Sequence, residues 1–258
     1  MKNIYLRISG GLGNQLYQFS FAYYLYSKFA FDKIIIDTSG MKNYNEYWGF
    51  LLYDVLSKNE LDSFVSFGTH PFLKLRVPKL IQKFGLNLSY CHCFISDGSR
   101  FGNDWEFESL SSCKNLFLDG YFEKVDVREQ YKFLLQPFIR KDLQTSLPKN
   151  LVVVNVRGGE FVRLGLSSED DINYYRDAIF KIKKEVDNPI FHLITDDVIY
   201  AKSLLKGICD FEHIHSPHPQ ENFKFIMNSK VKVLSMSTFA KWAAVLGDDA
   251  LVYWKSVF

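Results

Sequence analysis

LVVVNVRGGE, residues 151–160, is the stretch whose reading decides the fold. The unbroken apolar run at its start has no polar face, so Leu151–Val156 reads as a strand buried on both sides, the mark of a parallel sheet. The run then breaks into Arg157, Gly158, Gly159 and Glu160. Charge and backbone freedom thus arrive together at the C-terminal end of a strand, where open α/β sheets bind their ligands.

Outward from this strand, short apolar runs at Ile4–Ile8, Lys33–Asp37, Leu116–Leu118, Phe191–Thr195 and Val231–Leu234 read as further strands. Helical periodicity fits Asn14–Phe29, Asp126–Leu135, Asn173–Val186, Asp197–Leu205, Glu221–Asn228 and Phe239–Leu246. Strands alternating with helices predict α/β layers with right-handed crossovers. The polar stretch IRKDLQTSLPKN precedes Leu151 and contains Pro148. It is the expected boundary between two domains, 1–145 and 146–258.

Composition narrows the function classes. A net charge of +2 over 258 residues gives no electrostatic case for a nucleic-acid partner. The four cysteines are too few and too irregular for a disulfide framework, and free thiols of a cytosolic protein are expected. Cys91-His92-Cys93 is too tightly spaced for a metal site and no second pair follows it, so no metal is expected. The N-terminus lacks the apolar core of a signal peptide, and no apolar run approaches the ~20 residues of a spanning helix. A soluble, cytoplasmic protein is the expectation. Ser63–Ser96 contains no Asp or Glu, while Lys74, Arg76, Lys79 and Lys83 alternate with apolar residues. It reads either as a solvated basic face or as a contact with an anionic inner-membrane surface.

Four stretches can carry chemistry. In ISGGLGNQLYQF, residues 8–19, Gly10, Gly11 and Gly13 join a strand to a helix, the context of a phosphate loop. Leu16 stands where a dinucleotide fingerprint needs its third glycine, and there is no Walker lysine. Asn14 and Gln15 either cap the helix or reach a ligand. Arg157 is placed to grip phosphate or, equally, to pair with Glu160. In HLITDD, residues 192–197, one of Asp196 and Asp197 caps the next helix and the other is available to a base or sugar. In VLSMSTFAKW, residues 233–242, Ser237 or Thr238 opens a helix whose N-terminus suits an anion, while Phe239 and Trp242 have core spacing.

These four stretches, in this order, resemble the bacterial α-1,2-fucosyltransferase family, glycosyltransferase family 11. The family carries a GGLGNQ loop, an H-x-R-R-G-D motif, an S-D-D motif and an S-S-F-S-W-W segment. Here the corresponding residues are Gly10–Gln15, Asn155–Glu160, Thr195–Asp197 and Ser237–Trp242. LDGYFEKVDVREQY (118–131) and DINYYRDAIFKI (171–182) are weaker matches. The resemblance implies a GT-B-like α/β fold, with two Rossmann-type domains whose parallel sheets face a cleft. The N-terminal domain would serve the acceptor and the C-terminal domain a nucleotide sugar, GDP-β-L-fucose, with inversion and without metal or cofactor.

By motif, Arg157 would neutralise the leaving diphosphate, helped by Ser237, Thr238 and the Phe239 helix start. Asn155 and Asp196 or Asp197 would contact the nucleoside. Gly11, Gly13, Asn14 and Gln15 would form one lip of the donor site. Glu160 is the candidate base. Asn155, Gly158 and Glu160 stand where the family pattern has histidine, a second arginine and aspartate, and Ala240 and Lys241 replace serine and tryptophan. Arg163 or Lys241 can supply the missing charge. The closing helices after the last motif are expected to be short. The acceptor would be a surface polysaccharide or a lipid-linked glycan. A different nucleotide-sugar donor, or a silent relative that binds nucleotide or glycan, are the alternatives.

Overall fold

The computed structural model describes residues 1–39, 41, 49–71, 92–95, 113–123, 128–165, 170–215, 218–247 and 250–255. The chain divides into two compact units, Met1–Arg140 and Lys141–Phe258. The residues just after Arg140 belong with the second unit because Asn228 holds them there: it donates to the Leu143 carbonyl at 2.8 Å and accepts from the Thr145 N–H at 3.1 Å.

Unit 1 is built on five parallel strands, β1 (Asn3–Arg7), β2 (Lys33–Asp37), β3 (Val65–Phe67), β4 (His92–Ile95) and β5 (Asn115–Leu118), in the order β3-β2-β1-β5-β4. Asn3 of β1 sits in register with Lys33 on one side and Asn115 on the other. Ile4 and Leu6 alternate into the core, where Ile34, Ile36 and Leu116 are also buried. Helix α1 (Leu12–Phe29) follows β1 and packs against β1, β2 and α4 (Arg128–Leu135); two one-turn helices, α2 (Leu52–Val55) and α3 (Lys58–Leu61), lie between. Phe21 of α1 stacks on Phe122 at 4.5 Å between ring centroids.

Unit 2 carries β6 (Leu151–Val156), β7 (Ile190–Thr195), β8 (His213–Ile214), β9 (Val231–Leu234) and β10 (Leu251–Trp254), all parallel, in the order β10-β9-β6-β7-β8. All six residues of β6 are buried, as the central strand of a sheet covered on both faces must be. Val152, Val154 and Val156 join one core cluster with Tyr175, Ala178, Ile179 and Ile182 of α6 (Asp170–Glu185) and Ala201 of α7 (Val198–Leu204). The remaining helices are α5 (Gly159–Arg163), α8 (Pro219–Asn228) and α9 (Thr238–Leu246), and the last two pack on each other. Gly247 lies so close to the Met227 carbonyl that an added Cβ would stand 2.1 Å from its oxygen.

Two expectations are corrected. The described chain closes with strand β10 rather than with short helices. Cys113 is disulfide-bonded and only Cys209 is a free thiol among the described residues. Phe239 meets Phe223 of α8 edge-on, with ring centroids 5.6 Å apart. The basic stretch of Ser63–Ser96 lies largely outside the described residues, as do Cys91 and the side chains of His92 and Cys93.

At the sheet edge, His192 of β7 sits in register with His213 of β8, and His215 follows two residues later. The ring nitrogens of His192 and His215 are 3.0 Å apart, and Phe225 of α8 lies 4.0 Å from the His215 ring.

Candidate functional site

The C-terminal ends of β6, β7, β9 and β10 meet at one end of unit 2, and the residues after them carry its polar chemistry. Directly after β6, Arg157 pairs through Nη1 with Asp196 Oδ2 at 2.8 Å, both side chains about one-third exposed (32% and 33%). The other oxygen of Asp196 accepts the Gly158 N–H at 2.7 Å. One carboxylate therefore fixes the guanidinium and the turn that follows it. Arg157 also lies over the Phe161 ring, 5.6 Å from its centroid.

The two glycines have separate reasons. A Cβ on Gly158 would stand 2.5 Å from Cβ of Asp197, so no side chain fits where the family pattern has its second arginine. Gly159 has φ of +43°, in the left-handed region, and opens α5. Glu160 follows in the first turn of α5, half-buried.

The aspartates divide as the sequence allowed. Asp197 is the N-cap of α7, its Oδ1 accepting from the Tyr200 N–H at 2.9 Å. Asp196 is the one held against the cation.

Asn155 braces the ends of three strands. It is 6% exposed. Its amide donates to the Ile194 carbonyl of β7 at 3.2 Å, and its Oδ1 accepts from Ser235 Oγ at 2.7 Å. The Tyr175 hydroxyl, whose pKa burial pushes well up, donates to the Asn155 carbonyl at 2.8 Å. Its neighbour Tyr174 bridges the carbonyls of Leu234 and Tyr253 at 2.9 and 2.8 Å. The Tyr-Tyr pair thus ties α6 to the strand ends that surround Arg157.

After β9, Ser237 caps α9 by accepting the Ala240 N–H at 3.4 Å, and Thr238 begins the helix. The exposed N–H groups of such a start favour an anion. Between these elements lies an open recess of about 290 Å³, solvent at its mouth included. It is lined by Val156, Arg157, Phe161, Asp171, Tyr175, Leu204, Ser235, Met236 and Lys255. Asp171 and Lys255, ion-paired with each other, were not singled out from the sequence; Arg163 and Lys241, considered there as a second cation, do not line the recess.

In unit 1, Gly10 has φ of +74°, and Gly11 caps α1 without a side-chain bond. Gly13 is buried and Asn14 partly exposed in the first turn. Gln15 is wholly buried, with its amide donating to the Gly10 and Gly49 carbonyls at 2.9 and 2.8 Å and accepting from Leu51 N–H at 2.9 Å. It holds the glycine turn against the 49–51 segment. Among the described residues no cluster of His, Cys, Asp and Glu is arranged to hold a metal ion, and no helix is long and apolar enough to cross a membrane.

Known proteins resemble this chain in sequence and in fold. The family model described as "Glycosyl transferase family 11" matches residues 3–255. An alpha-1,2-colitosyltransferase of Escherichia coli is 26% identical over 95% of this chain and 88% of its own length. The fold is similar to that of the fucosyltransferase NodZ from Bradyrhizobium, with a TM-score of 0.56, 12% identity, and coverage of 95% of this chain and 92% of that one. It is also similar to a variant of Arabidopsis thaliana FUT1 in complex with GDP, with a TM-score of 0.56, 13% identity, and coverage of 95% and 68%.

Proposed function

The chain belongs to glycosyltransferase family 11, and from that membership we propose that it moves L-fucose from GDP-β-L-fucose to a hydroxyl of a glycan acceptor. The linkage in this reading is α-1,2, formed with inversion, and the acceptor is a surface polysaccharide or a lipid-linked oligosaccharide such as an O-antigen unit. Unit 2 holds the nucleotide and unit 1 serves the acceptor.

The observation that carries the reading is Arg157, pinned by Asp196 at the end of β6 and facing the recess. Breaking the bond between the anomeric carbon and the diphosphate leaves negative charge on the leaving group and oxocarbenium character on the sugar. A guanidinium already oriented, beside a capped helix N-terminus, meets that charge with little reorganisation. The acceptor oxygen attacks the anomeric carbon from the face opposite the diphosphate, so one displacement converts β to α. The acceptor's proton goes to a carboxylate, for which Glu160 is proposed, and GDP departs.

A second reading keeps everything but the sugar. The Escherichia coli relative transfers colitose by name. Colitose is fucose without one hydroxyl, and a site built to hydrogen-bond that hydroxyl rejects the deoxy sugar strongly. Calorimetric titration with GDP, UDP, CMP and dTDP, beside Arg157→Ala, tests the nucleotide. Selective GDP binding lost in the variant is the expected result, and binding of another nucleotide instead overturns the donor assignment. Turnover of GDP-fucose against GDP-colitose then decides the sugar.

A further inference from the structure

The recess at the strand ends of unit 2 is lined by two cations, and only Arg157 has so far been given a task. The other, Lys255, comes directly after β10. Its backbone N–H donates to the Leu234 carbonyl at 3.2 Å, which seats it beside the end of β9. Its ammonium is ion-paired with Asp171 in the first turn of α6, and the two side chains are only 19% and 12% exposed. An ion pair so far out of water gains little over an apolar contact of the same volume, because desolvation offsets the Coulomb attraction. Joining the end of β10 to α6 therefore does not by itself call for charges, and Tyr174 already joins them through the Tyr253 carbonyl.

We propose that Lys255 is a second diphosphate-binding cation, held at the recess wall by Asp171. The proposal rests on the nucleotide-sugar reading above, but it concerns the diphosphate and not the base or the sugar. Two cations enter the recess from different strands, Arg157 from β6 and Lys255 from β10, each held by a carboxylate from a different element. A diphosphate carries more than one negative charge, and a single guanidinium that already shares its charge with Asp196 leaves part of it unmet. The ammonium and the guanidinium differ in use: the fork of Arg157 fixes orientation, whereas Lys255 acts as a point charge. Asp171 in this arrangement is a positioning residue. It keeps the ammonium in place and offsets its charge until a phosphate group shares it.

Calorimetry on the full chain tests the assignment, with GDP, UDP and guanosine as probes and with Lys255→Ala, Lys255→Arg and Asp171→Asn beside the wild type. Lys255→Ala is expected to weaken diphosphate binding about tenfold or more, in line with a charge-assisted contact, and to leave guanosine within about twofold. Lys255→Arg restores most of the loss. Asp171→Asn, which removes the carboxylate competing with the phosphate, tightens diphosphate binding, an outcome that a merely structural ion pair does not produce. The proposal is overturned if Lys255→Ala binds every diphosphate within about twofold of wild type, or if Lys255→Ala and Asp171→Asn both lose guanosine and diphosphate alike. If Lys255→Ala does not fold, Asp171→Asn decides: tighter diphosphate binding there upholds the assignment, and equal or weaker binding overturns it. Dependence on Lys255 seen with UDP but not GDP removes the GDP reading and keeps Lys255. Absence of any diphosphate binding in the wild type removes both.

Discussion

Acidification should loosen unit 2 through its histidine edge, and the size of the effect follows from the packing. His215 is 6% exposed, and its pKa is pushed from 6.5 down to about 4, first by burial and then by the neighbouring His213 and His192. His192 is shifted down as well, by burial and by His213, with Glu212 opposing. Both rings thus resist a proton that the unfolded chain accepts below its ordinary pKa. Stability is complete above pH 6.5 and falls as pH drops from there toward 4, where the native ring begins to titrate and the loss levels off. For His215 alone the linkage amounts to about 2 kcal/mol between pH 7 and pH 5, and about 3 kcal/mol at its limit. Urea unfolding at the two pH values, in wild type and His215→Phe, measures it. Replacing Trp48 and Trp105 by phenylalanine leaves the fluorescence of Trp242 and Trp254 as the report from unit 2. The variant should lose about 2 kcal/mol less on acidification than the wild type. Equal losses in the two proteins, or a His215 ring that titrates near 6.5 by NMR, would refute the reasoning.

Other outcomes can be stated more briefly. Gly158→Ala forces a methyl group to within 2.5 Å of Asp197 Cβ and should cost about 1–3 kcal/mol in thermal unfolding while weakening GDP binding; a variant that matches wild type in both would mean that α7 yields freely. Glu160→Gln should lower turnover at least about 100-fold with GDP binding unchanged, and intact turnover would end its assignment as the base. The basic Ser63–Ser96 stretch should bring the protein down with anionic vesicles at low salt and release it at high salt, and no sedimentation at low salt would leave that stretch as an ordinary solvated face.

What could be read from the sequence was what local chemistry controls. The β6 run had to be a doubly covered strand because nothing in it tolerates water, and Arg157 stood out because a charge follows it at once. The Asp196–Asp197 pair announced a cap but not which member capped; that depended on α7 starting at Val198. Strand β8 escaped notice because two residues carry no periodicity, and β10 because Leu251–Trp254 lies at a sheet edge with two of its residues exposed. Gln15 and Asn155 read as ligand-facing polar residues, and no local pattern shows the partners each has far along the chain: the Gly49 and Leu51 backbone for one, the Ile194 carbonyl and the Ser235 hydroxyl for the other. The pairing of Lys255 with Asp171 joins residues that only the packed sheet brings together, so no spacing rule could have found it.

The knot of Asn155, Ser235 and Tyr175 has a kinetic consequence. Because one amide and two hydroxyls link the ends of β6, β7 and β9 to α6, none of these ends can fray without releasing the others. Amide hydrogens there should exchange as one cooperative group, with a common opening free energy instead of a gradient toward the strand termini. A ligand seated on Arg157 would then slow exchange across all three strand ends together, including amides it never touches.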